Sequence, residues 1–156
     1  YPEGLSPEDT VRYIAKKKCD AAAALCAPDD LIITADTMVF LDNDRLGKPR
    51  DEEDALRMLR ALSGRGHTVC TGVSVRRGAQ EERFAVSTRV FFRPMTDDEI
   101  RAYIKTGEPM DKAGAYGVQS RGALFVERID GDFFNVMGLP VEQLGLVLAR
   151  FGVKLL

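Results

Sequence analysis

The sequence predicts one α/β domain, a mixed β-sheet with helices packed on it, and three observations lead there. Well-capped segments with apolar residues at helical spacing alternate with segments whose apolar residues recur every second position. A short apolar run, Leu31 to Ala35, reads as a strand covered on both faces. At 156 residues the chain suits a single core, and no repeat or linker divides it.

Taken in order, Ser6-Pro7-Glu8-Asp9 marks a helix start, with Ser6 as N-cap, Pro7 at the first helical position and acids at the positive end of the helix dipole. This helix is expected to reach about Leu25. The strand at Leu31 to Ala35 follows, and Asp36 is expected at its carboxyl end. Met38 to Leu41 stays extended, and Asp42-Asn43-Asp44 turns the chain back through Leu46. A second helix opens on Asp51-Glu52-Glu53-Asp54. It carries the stripe Ala55, Leu56, Met58, Leu59 and Leu62, and Gly64 stops it.

Val69, Thr71, Val73 and Val75 alternate with other residues, as do Phe84, Val86, Thr88 and Val90 beyond a turn at Arg76 to Ala79, which predicts an antiparallel pair. Thr96-Asp97-Asp98-Glu99 is a capping box, with Met95 placed to staple against Ile100, and Gly107 and Pro109 end that helix. A glycine-rich loop over 111–122, a strand from about Ala123 to Ile129, a turn at Asp130-Gly131 and a helix from about Val141 to Phe151 complete the chain.

Composition excludes several classes of function. The 22 basic and 24 acidic residues nearly cancel, so no global field is available to hold a long nucleic acid, and Trp is absent. A small anion needs only a few local lysines. No apolar stretch approaches a bilayer span. Cys19, Cys26 and Cys70 show neither a disulfide framework nor zinc spacing and read as buried thiols in a reducing cytosol. His67 is the sole histidine, which excludes a histidine-rich metal cluster and points to a structural hydrogen-bonder. The chain opens on Tyr1 and lacks a signal-peptide pattern, so it reads as a fragment or as a partly observed chain.

Three places could carry chemistry. Asp36, in T-A-D-T, could take a proton from water or hold a divalent metal, the plainer alternative being a turn or capping aspartate. Lys48, between Gly47 and Pro49, could aim its ammonium at a phosphate or simply be solvated. In the segment 111–119, glycines let backbone N–H groups approach an anion, Lys112 adds charge, Tyr116 can pack on a ring and Gln119 can pair with a base edge; an ordinary bent loop is the alternative. The run Lys16-Lys17-Lys18 reads as a solvated face, with Lys18 able to point inward.

In order and spacing, A-D-T-M-V (35–39), G-K-P (47–49), L-S-G-R-G-H-T-V-C-T-G-V (62–73), D-K-A-G-A-Y-G-V-Q (111–119), I-D-G-D (129–132) and N-V-M-G-L-P (135–140) resemble the Maf family of nucleoside triphosphate pyrophosphatases. Y-I-A-K-K-K-C (13–19) is similar to the family's helix with a lysine near its end. The resemblance implies an elongated mixed sheet shared with inosine triphosphate pyrophosphatases, two lobes around a substrate cleft, a cytoplasmic homodimer, and no nucleic-acid or membrane partner. It makes Asp36 the catalytic base or a ligand of Mg²⁺ or Mn²⁺, and Lys18, Lys48 and Lys112 the phosphate-facing lysines. Thr37 and Gln119 match the branch associated with dTTP and UTP rather than 7-methyl-GTP. Attack of water on the α-phosphorus would then release a nucleoside monophosphate and pyrophosphate.

The family's opening strand and S-x-x-R-R phosphate loop have no counterpart from Tyr1 onward. That departure keeps a second class in view, a non-catalytic nucleotide-binding regulator of septum formation.

Overall fold

The computed structural model describes residues 1–156. Helix α1 (Pro7–Ala23) is followed by strands β1 (Ile32–Leu41) and β2 (Asp44–Leu46), helix α2 (Glu52–Leu62), and the long strands β3 (Gly66–Arg77) and β4 (Gln80–Phe92). Then come α3 (Asp97–Lys105), β5 (Val126–Asp130), α4 (Phe133–Met137) and α5 (Val141–Arg150). The class is the expected α/β. The five strands form one sheet in the order β2-β1-β3-β4-β5, with β1/β2 and β4/β5 antiparallel.

Most element starts follow local chemistry. Ser6 caps α1 by accepting from the Asp9 N–H, Asp51 caps α2 by accepting from Asp54, and Thr96 with Glu99 forms a reciprocal capping box on α3. The α2 stripe is buried as expected, and the helix lies against α3 and the turn at Ala113–Ala115.

Several expectations are corrected. Helix α1 ends two residues short of Leu25, and Leu25 is exposed. Strand β1 does not stop at Ala35 but runs unbroken to Leu41, because Val39, Phe40 and Leu41 pair with Leu46, Arg45 and Asp44 of β2. It is not covered on both faces either: 32–37 are exposed or half-exposed, and only 38–41 are buried. The loop expected over 111–122 contains tight 3₁₀ turns at Ala113–Ala115 and from Arg121 to Phe125, which delay β5 until Val126. Helix α4 was not foreseen, since five residues are too few to show a period.

The chain divides into two compact units, and the divisions fall within β1, β3, β4 and α4. The first comprises 1–37, 70–87 and 134–156; the second comprises 38–69 and 88–133.

In the first unit, Leu144, Val147, Leu148 and Phe151 of α5 and its end pack on Val73 and Val75 of β3. Helix α1 buries Val11, Ala15 and Cys19 and approaches β3 so closely at Gly72 that a Cβ there would lie 2.3 Å from the Val11 carbonyl. Cys19 and Cys70 are buried free thiols, but Cys26 is exposed, contrary to expectation, because it follows the last turn of α1.

In the second unit, Phe92, Tyr103, Tyr116, Phe125 and His67 form a chain of edge-to-face and tilted rings.

Candidate active site

The first unit presents an acid and a lysine in direct contact. Residues 11, 15 and 18 recur at helical spacing on α1, so Lys18 shares the side that carries the buried Val11 and Ala15. The hydroxyl of Thr34 donates to the Ala15 carbonyl at 2.6 Å, tying β1 to that face. Lys18 Nζ then donates to Asp36 Oδ1 at 2.7 Å and to the Ala35 carbonyl at 3.2 Å. Lys16 and Lys17 go elsewhere, the first to Asp20 and the second over the Tyr13 ring.

Asp36 lies in mid-strand rather than at a strand end, which removes the strand-tip argument for it. Its availability has another cause, the incomplete cover of the first half of β1, which leaves its side chain 18% exposed. Beside it, the Thr37 and Thr71 hydroxyls meet at 2.8 Å. Each also faces a carbonyl from α4 or its end, Gly138 from Thr37 and Asn135 from Thr71, both at 3.4 Å. Thr71 was not singled out from sequence, where it reads only as one residue of an alternating strand.

The second unit carries Lys48, Lys112, Tyr116 and Gln119. The Gly114 N–H donates to the Gly47 carbonyl at 3.1 Å, which docks the 113–115 turn beside the residue preceding Lys48. Lys112 pairs with Asp111 at 3.0 Å. That contact holds the Asp111 carboxyl below its usual range, and the charge of Lys48 adds to the effect, so both ammonium groups act on one carboxylate. The stem of Lys112 crosses Gly117, where a Cβ would lie 2.7 Å from Lys112 Cε.

Gln119 is exposed at the end of this segment. Tyr116 does not offer its ring to a ligand. It is 6% exposed, stacks edge-on against Phe92 and His67, and its hydroxyl lies 2.6 Å from His67 Nε2. Burial, with a smaller contribution from Arg89, lowers the His67 pKa to about 4, so the ring is neutral at physiological pH.

No three His, Cys, Asp or Glu side chains come close enough to cage a metal ion. A magnesium ion that travels with a polyphosphate needs only one or two carboxylates from a protein, because the phosphates and water supply its other oxygens. Asp36, a hard-oxygen donor with Oδ1 turned to Lys18, fits that kind of ion better than a protein-built cage.

The first unit of this α/β protein thus presents a partly exposed carboxylate paired with one lysine, and the second unit presents two lysines beside another carboxylate. Sequence comparison places the protein more narrowly. The model of the family described as "Maf-like protein" matches residues 2–151, and the chain belongs to that family. It is 51% identical to a dTTP/UTP pyrophosphatase of Bacillus velezensis, over 96% of this chain and 79% of that protein. It is 49% identical to one of a Geobacillus species and 47% identical to one of Dictyoglomus turgidum, covering 80% of each relative.

Proposed function

We propose that this chain hydrolyses dTTP and UTP to the nucleoside monophosphate and pyrophosphate, as the names of its relatives indicate for them. The observation that carries the reading is the Lys18–Asp36 contact, a carboxylate kept partly open and paired with a cation, in a chain half identical to pyrophosphatases of these nucleotides.

In this reading Asp36 takes a proton from, or orients, the water that attacks the α-phosphorus. Lys18 holds the carboxylate aimed until the substrate's phosphates arrive. Lys48 and Lys112 offset the negative charge of the phosphates, in the bound nucleotide as well as in the transition state. Thr37 and Gln119 bind the nucleotide, and Tyr116 serves the site by holding the segment that carries Lys112 and Gln119. A Mg²⁺ or Mn²⁺ ion, when bound, supplies further charge neutralisation across the phosphates, and Asp36 is the residue that would hold it.

No helix is long and apolar enough to cross a membrane. A cytoplasmic homodimer, with the two units forming one functional domain, completes the proposal.

The test is pyrophosphate release from dTTP, UTP and 7-methyl-GTP by the wild type and by Asp36→Asn. Release from the first two, lowered about 10²- to 10⁴-fold in the variant as expected for a lost general base, supports the reading. Full turnover by Asp36→Asn refutes both roles given to the carboxylate. Calorimetric binding of UTP without pyrophosphate release would favour a nucleotide-binding regulator.

A further inference from the structure

The segment 112–119 carries two of the proposed substrate groups, one at each end, on a backbone that does not favour its own shape. Gly114 has φ +74° and Ala115, a residue with a Cβ, has φ +64°. Such a conformation persists in a non-glycine residue only where the surroundings over-determine it. Two buried phenols provide the determination.

The first is Tyr116, within the segment, whose hydroxyl is 2.6 Å from His67 Nε2. His67 is fully buried, and its ring is held edge-on by Phe92 at 5.0 Å between centroids. The second is Tyr103 of α3, 4% exposed, whose hydroxyl accepts from the Gly117 N–H at 3.1 Å and donates to the Glu108 carboxylate. Glu108 in turn accepts from the backbone N–H groups of Arg121 at 3.2 Å and Gly122 at 3.1 Å. Burial of this carboxyl opposes ionisation, but its hydrogen bonds, that from Tyr103 foremost, outweigh burial and hold its pKa below the ordinary value. One phenol thus grips the segment by a side chain and the other by the next residue's backbone.

We infer that Tyr116 with His67, and Tyr103 with Glu108, are positioning residues that clamp 112–119 so that Lys112 and Gln119 meet the nucleotide in a fixed geometry. The inference rests on the proposed function for its ligand. None of the four needs to touch substrate. Their contribution is to binding geometry, so removing a hydroxyl alters KM more than kcat.

The test is Tyr103→Phe and Tyr116→Phe, which keep the rings and delete only the oxygens, compared with Val147→Ala in the α5 core as a control for loss of stability alone. The expected result is a rise in KM for dTTP and UTP of about tenfold in each phenol variant, with kcat within about twofold of wild type, and faster amide exchange confined to 112–122. Val147→Ala lowers Tm and leaves KM unchanged. If both phenol variants keep the wild-type KM while the wild type is active, the clamp is overturned and the pyrophosphatase reading stands. If the wild type neither binds nor hydrolyses either nucleotide, the function fails and the inference falls with it.

Discussion

Lys18 Nζ lies 2.7 Å from Asp36 Oδ1 and also donates to the carbonyl of Ala35, so one ammonium holds both the side chain and the strand backbone beside it. The lysine is half exposed, and an ion pair that open to water contributes at most about 1 kcal/mol to folding. The proposed function gives it a second effect, on Asp36. Lys18→Met is expected to leave the urea midpoint within the equivalent of about 1 kcal/mol while pyrophosphate release from dTTP falls roughly tenfold or more. A matched loss of stability and activity would mean that the pair is merely structural.

Gly117→Ala tests where Lys112 points. The new methyl would meet Lys112 Cε at 2.7 Å, and the flexible lysine stem, not the backbone, would yield. Stability should change by less than about 1 kcal/mol, whereas KM for the nucleotide should rise several-fold as the ammonium is displaced. Parallel titration with inorganic pyrophosphate would show the same weakening if Lys112 faces the phosphates.

Gly72→Ala tests the seat of α1. The added Cβ would lie 2.3 Å from the carbonyl carbon and oxygen of Val11, and backbone cannot rotate aside as a side chain can. We expect a loss of about 1–3 kcal/mol in chemical denaturation. Turnover should also drop, because the displaced helix carries Lys18 away from Asp36.

The buried His67 makes a prediction about acid. Its pKa is near 4 in the folded chain against 6.5 for a free imidazole, so between these values the unfolded chain binds the proton that the folded chain refuses. Stability from this group is complete above about pH 6.5 and falls as pH drops toward 4, by about 3 kcal/mol in all. Urea midpoints measured from pH 7 to pH 4 should show this slope, and His67→Gln should flatten it. An unchanged slope in the variant would show that other groups govern the acid limb.

Much of the fold could be read directly from residue order. Caps at Ser6, Asp51 and Thr96, the stripe on α2 and the alternation in β3 and β4 all express contacts within a few residues, and the structure places the elements where those signals lie. That β1 runs unbroken through Asp36 and Thr37 could not be read in this way, because local pattern does not show whether two extended segments join into one strand. Helix α4 escaped for a related reason: five residues carry less than two turns of periodicity.

For the proposed site, the sequence by itself nominated Asp36 and the lysines at 18, 48 and 112, together with Thr37 and Gln119, which resemble the dTTP and UTP branch. It could not determine what each residue does. Tyr116 reads as a ring open to a ligand until tertiary packing closes His67 and Phe92 over it, and the partner of Lys18 is set only when α1 docks on β1. The physical reason is the range of the forces involved. Propensity, capping and periodicity act along a few residues of chain, whereas burial and side-chain pairing depend on groups such as His67 and Tyr116, 49 positions apart, which only the folded chain brings to 2.6 Å.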